Sequence, residues 1–77
     1  MDRIEKFLLK LEKKRRAVFL IIFRDIIKLN LEKYDIKPLH GFHGIFRLRK
    51  GKIRIIFAKQ NNRGYVIDID FRKDIYK

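Results

Sequence analysis

The stretch FRLRKGKIRIIF, residues 46–57, decides how this chain is read. Two alternating runs flank Lys50-Gly51, and that pair is expected at the centre of a two-residue hairpin turn. Leu48 then lies against Ile53 and Phe46 against Ile55, while Arg47 faces Arg54 and Arg49 faces Lys52. One face of the hairpin is apolar, and the other carries four cations. Like charges placed opposite one another cost energy, although water and salt soften the repulsion where side chains splay outward. Such a face is either a solvated surface or a seat for an anionic ligand.

The whole chain has 77 residues, 21 Lys plus Arg and 9 Asp plus Glu, for a formal net charge of +12. Residues 1–36 hold ten basic and six acidic groups, and residues 37–77 hold eleven and three, so the excess follows the hairpin region. Such a field favours polyanions such as RNA, DNA or an acidic protein without choosing among them. A chain this short buries only about 60% of the surface its unfolded form exposes, so a single domain over residues 1–77 is expected. Any chemistry then lies on an open surface. Cysteine is absent, which excludes disulfides and thiolate metal sites and fits a reducing cytoplasm. The longest apolar run, residues 17–23, is far short of the roughly 20 residues of a membrane span. The expectation is a cytoplasmic protein that does not enter a membrane.

Working outward, Ile4, Phe7, Leu8 and Leu11 recur at helical spacing and predict a helix over 2–12, with Asp2 as its cap. A second helix is predicted over 14–31, with Phe19, Ile22, Phe23, Ile26 and Leu29 on one side. Val18, Ile21 and Ile27 widen that stripe beyond what a small sheet can cover, which suits a homodimer or a dedicated binding protein. Residues 31–39 read as a connector, in which Pro38 holds Lys37 extended. His40-Gly41-Phe42-His43-Gly44 reads as a turn. Strands follow over 45–49, 52–58 and 65–70, the last placing Tyr65, Ile67 and Ile69 on one face and Val66, Asp68 and Asp70 on the other. The expected fold is α+β, with two helices on a three-stranded antiparallel meander.

Arg47, Arg49, Lys52, Arg54 and Arg72 on one surface would present planar donor forks that match phosphate oxygens and stabilise charge developing on them. Tyr76 adds a phenol for stacking or proton transfer, or else packs on the sheet edge. His40 and His43 flank a turn and suit a loop hydrogen bond or a phosphate contact better than catalysis. Asp68 and Asp70 are read as neutralising Arg72 and its neighbours. No phosphate-loop, zinc or nucleotide-binding motif is present.

IKPLHGFHGIFRLRKGKIRIIF and VIDIDFRKDIYK resemble the strand pair and the terminal segment of the RelE/ParE superfamily, the toxins of type II toxin–antitoxin modules. The resemblance implies a toxin that acts as a metal-independent, cofactor-free endoribonuclease. It cleaves mRNA, free or on the ribosome, through attack of the ribose 2′-hydroxyl on the adjacent phosphate. Carried onto this chain, it implies Arg49, Arg54, Arg72 and Tyr76 as catalytic residues and Arg47, Lys50, Lys52 and Lys73 as RNA-binding residues, and it implies a cognate antitoxin as partner. This sequence departs from the family pattern at three places. Arg47 and Arg49 stand where lysines are common, and an arginine does not serve as a base. Phe71 replaces a frequent histidine, and the strand that usually precedes the first helix is not expected here. A ParE-like inhibitor of DNA gyrase or an inactive binding relative therefore remains the alternative.

Overall fold

The computed structural model describes residues 2–71. In chain order the elements are α1 (Arg3–Lys10), α2 (Lys13–Ile27), β1 (Asp35–Pro38), β2 (Ile45–Lys50), β3 (Ile53–Gln60) and β4 (Arg63–Phe71). The strands form one antiparallel sheet in the order β1-β2-β3-β4. The expected three-stranded sheet is therefore corrected to four strands. The strand missed is β1, which lies inside the stretch read as a connector.

Pro38 explains both the strand and the misreading. Lys37 pairs with Arg47, and just beyond the strand the Leu39 N–H donates to the Ile45 carbonyl at 2.8 Å in the same register. In an antiparallel ladder the intervening residue turns its nitrogen outward, so Pro38 lacks an N–H only on the open edge, where none is required. Among the described residues no strand precedes α1.

The helices end earlier than their apolar spacing suggests. α1 is capped by the Asp2 carboxylate, which accepts from the Glu5 N–H at 2.8 Å. At its other end the Arg16 guanidinium donates to the carbonyls of Leu8 at 3.0 Å and Leu11 at 3.1 Å, so part of the expected charge cluster closes the α1 terminus. α2 stops because Leu29 adopts a left-handed conformation, φ +57°. The Leu29 N–H then reaches the Ile26 carbonyl at 3.0 Å, and the Asn30 N–H reaches Asp25 at 2.8 Å. These two bonds make a Schellman ending without its usual glycine, which leaves the sequence without a stop signal at this point.

In the central hairpin Leu48 pairs with Ile55, Arg49 with Arg54 and Lys50 with Ile53. The turn residues are Gly51 and Lys52, one position later than expected, with Gly51 at φ +60° in the first central place that a type II′ turn reserves for glycine. Each strand partner thereby shifts by two residues, an even step that leaves every side chain on its expected face. In β4 a bulge opposite Ile56/Phe57 has the opposite effect. It rotates Val66 onto the core and leaves Tyr65 and Ile67 exposed, reversing the expected faces at those three positions.

The core joins Phe7, Leu8, Leu11, Phe19, Ile22 and Ile26 of the helical layer to Leu48, Ile53, Ile55, Phe57 and Ile69 of the sheet. α2 crosses β4 so closely that a Cβ at Gly64 would stand 2.0 Å from the Ile26 carbonyl oxygen. Behind α2, the phenol of half-buried Tyr34 donates to the carboxylate of buried Asp25, with Lys33 3.6 Å away. Burial, followed by that carboxylate, pushes the Tyr34 phenol up to about 12. The Tyr34 bond in turn holds Asp25 below its ordinary value against the effect of burial. The outer face of α2 leaves Val18, Leu20, Ile21 and Ile27 exposed.

Candidate functional site

The helices cover one face of the sheet, and period-two alternation sends the charged residues to the other. β1 contributes Asp35 and Lys37, β2 contributes Arg47 and Arg49, and β3 contributes Arg54. In register Lys37 lies opposite Arg47, and Arg49 lies opposite Arg54. The structure thus brings together Arg47, Arg49 and Arg54. Lys37 joins them, a residue sequence reasoning had left in a connector. Arg47 is 8% exposed and Arg54 4%, so both guanidinium groups are held in the fold rather than trailing in solvent.

Asp35 is the other residue that β1 adds to the site. Its Oδ2 accepts from Arg49 Nε at 3.0 Å, and stands 2.8 Å from Arg49 Nη2 and 3.6 Å from Arg47 Nη1 as ion pairs. Burial alone would raise the Asp35 carboxyl, but the nearby charges of Arg49 and Arg47, with the Arg49 hydrogen bond, outweigh it and leave its pKa lowered. A single carboxylate therefore occupies the donor fork where a phosphate oxygen would be received. Arg47 Nη1, a buried atom, makes no hydrogen bond among the described residues.

Of the other expected residues, Asp70 lies opposite Arg54 and Asp68 opposite Ile56 on this same face, and the rest lie elsewhere. Lys52 is in the hairpin turn, and Lys50 lies at the end of β2 on the helix side. Lys50 lines an open cleft of about 480 Å³ with Val18, Ile21, Tyr34, Asp35 and Arg49. His40 and His43 are exposed on the β1–β2 loop, at the opposite end of the sheet from the hairpin turn. Asp68 and Asp70 both bind Arg3 of α1, Asp68 Oδ1 at 2.7 Å from the Arg3 Nε, so these carboxylates tie α1 to the edge strand. Phe71 packs in the core with its ring centroid 5.2 Å from that of Phe7, so this departure from the family pattern falls on the buried face. Arg72, Lys73 and Tyr76 lie outside the described residues. Among the described residues no group of three or more His, Asp or Glu side chains is gathered as a metal site, and no helix is long and apolar enough to cross a membrane.

The far end of the same face has a different character. Ile45, Ala58 and Tyr65 form one row across β2, β3 and β4. Tyr65 is 43% exposed, and the Arg63 guanidinium lies 5.6 Å from the centroid of its ring.

No protein-family model matches the sequence, and a comparison with curated proteins finds no match. Among solved structures, the chain is similar to one described as the crystal structure of the RelB-RelE antitoxin-toxin complex from Methanococcus jannaschii. The TM-score is 0.72 at 26% identity, covering 99% of this chain and 92% of that one. The likeness supports assignment to the RelE/ParE superfamily of toxins. The sheet of this chain carries guanidinium groups on the face turned away from the helices, two of them buried there.

Proposed function

We propose that this chain is an endoribonuclease toxin that cleaves mRNA and is held in check by a cognate antitoxin. The observation that carries this reading is the meeting of Arg47, Arg49 and Arg54 on one sheet face, in a fold shared with a chain of a RelB-RelE complex. Charge stabilisation is the chemistry such a cluster performs best. The RNA 2′-hydroxyl attacks the adjacent phosphorus, the bond to the 5′-oxygen breaks, and a 2′,3′-cyclic phosphate remains. Arg49 and Arg54, with Arg72 by resemblance, bind the non-bridging oxygens as their charge grows, while Arg47, Lys37 and Lys52, with Lys73 by resemblance, hold the flanking backbone; Lys50, on the helix side, takes no part in this. Arginine keeps its proton, so the 2′-hydroxyl proton passes to water, or to Tyr76 as its phenolate, and the leaving 5′-oxygen takes up a proton from water. No step requires a metal or cofactor.

The antitoxin supplies carboxylates to the same face, and its apolar residues lie in the cleft beside Val18 and Ile21, where Arg49 and Lys50 form a basic rim. This places the widened apolar stripe of α2 in a partner interface rather than in solvent.

The test is cleavage of RNA by purified chain, with and without ribosomes and with and without chelator. Chelator-resistant cutting is expected, reduced roughly 10²–10³-fold by Arg49→Ala or Arg54→Ala. Intact RNA under every condition, from folded protein, refutes the reading. Inhibition of gyrase supercoiling by the same sample would put the ParE-like alternative in its place.

A further inference from the structure

We infer that the end of the sheet carrying Tyr65 is a stacking seat for an unpaired base, which makes single-stranded RNA the preferred substrate of the neighbouring arginines. The inference rests on the RNA reading above and adds the part of the nucleotide that the arginines do not recognise.

Three observations carry it. First, the row Ile45–Ala58–Tyr65 lies on the same face as Arg47 and Arg54. Ile45 precedes Arg47 by two residues, about 7 Å of strand, and Tyr65 lies two strands over from Ile45, roughly 10 Å, so the seat stands on the order of 12 Å from Arg47 and a base on it belongs to the same single strand as a phosphate on Arg47, one or two nucleotides along. Second, the seat combines an aromatic face with a guanidinium. Tyr65 is 43% exposed, and Arg63 lies 5.6 Å from its centroid. A ring and a guanidinium plane side by side can stack on any base and tolerate any sequence. Third, a second ring stands at this end. The β1–β2 loop leaves Phe42 64% exposed between His40 and His43. The loop is fastened to the sheet by the Lys59 N–H, which donates to the Gly44 carbonyl at 2.9 Å. Gly41 and Gly44, at φ +86° and +69°, let the chain turn tightly enough to hold that ring outward.

Duplex RNA presents no free base faces, so it meets only the charged part of this surface. A protein partner would use the same rings as apolar contacts, and the experiment separates the two.

Binding is measured by fluorescence anisotropy with a labelled single-stranded RNA oligonucleotide and with the same sequence as a duplex, on the whole chain. Tyr65→Leu is expected to weaken single-strand binding roughly tenfold while leaving duplex binding within about twofold, and Tyr65→Phe to retain parent affinity. The natural chain has no tryptophan, so Phe42→Trp installs a lone reporter whose emission should be quenched by the single strand and not by the duplex. Unchanged single-strand affinity in Tyr65→Leu overturns the inference. So does equal loss for both forms, or loss confined to a protein partner. The two proposals fail separately: RNA bound but not cut removes the nuclease reading alone, and cutting that is indifferent to Tyr65 removes the stacking seat alone. A parent chain that binds no RNA removes both.

Discussion

Replacing Gly64 by alanine tests the packing on which the whole site rests. The added Cβ would stand 2.0 Å from the Ile26 carbonyl oxygen, 2.8 Å from its carbon and 3.0 Å from its Cγ2, against an ordinary carbon contact of about 3.5–4.0 Å. The two nearest atoms are backbone, so no rotamer change relieves the clash and α2 must retreat by about 1 Å or more. A gap of that size forfeits a quarter to a half of the contact energy along the seam that buries Phe19, Ile22 and Ile26. The expected cost is about 3 kcal/mol, at the upper end for overpacking. Against a total of roughly 4–12 kcal/mol for a chain this size, that leaves a marginal fold. The melting temperature should fall by about 12–24 °C, and the urea midpoint should fall with an unchanged slope. Gly41→Ala is the control, because its Cβ meets nothing within 4 Å and its cost, about 1 kcal/mol, comes from positive φ alone. A Gly64→Ala chain within about 0.5 kcal/mol of the parent would show that β4 and α2 do not approach as described.

Asp35→Asn removes the carboxylate that Arg49 holds, which in the proposed function competes with phosphate. The slope of log affinity against log salt for single-stranded RNA should steepen by about 0.7, so a fourfold rise in salt costs the variant roughly 2.6-fold more affinity than the parent; equal slopes contradict this. The folded pKa of Asp35 is lowered, so its arginine pairing adds stability above the ordinary carboxylate value and loses it as pH falls through the lowered folded value. Acid unfolding of Asp35→Asn should lack that component. Tyr34 behaves in the opposite sense. Its phenol is raised to about 12, so its contribution is complete below about pH 10 and is lost as pH rises towards 12. Absorbance titration should show a phenol phase at about pH 12 that Tyr34→Phe abolishes; the lack of any such phase would contradict the burial of the Tyr34–Asp25 pair.

The alternating faces of β2 and β3 were legible in the sequence because period two survives an even slip of register, so Arg47, Arg49 and Arg54 could be placed together before their partners were known. Three features were not legible. β1 has four residues, one of them a proline, and only its position at the edge makes it a strand; with it went Asp35 and Lys37, the two site residues sequence reasoning missed. The proline was itself the available signal, since an extended X-Pro run beside a hairpin is what an edge strand tolerates. The bulge in β4 carries no sequence mark, and it exchanged Val66 for Tyr65 between core and open face. The left-handed Leu29 ends α2 where sequence rules expect glycine, so the helix was read four residues too long.

The central claim is that clustered guanidinium groups carry phosphoryl transfer without a metal, and the end groups of the RNA products test it most directly. Parent protein incubated with mRNA in chelator should leave 2′,3′-cyclic phosphate and 5′-hydroxyl ends, and these should vanish with Arg54→Ala in a variant that still folds. Products ending in 3′-hydroxyl and 5′-phosphate, or undiminished cutting by Arg54→Ala, would contradict it.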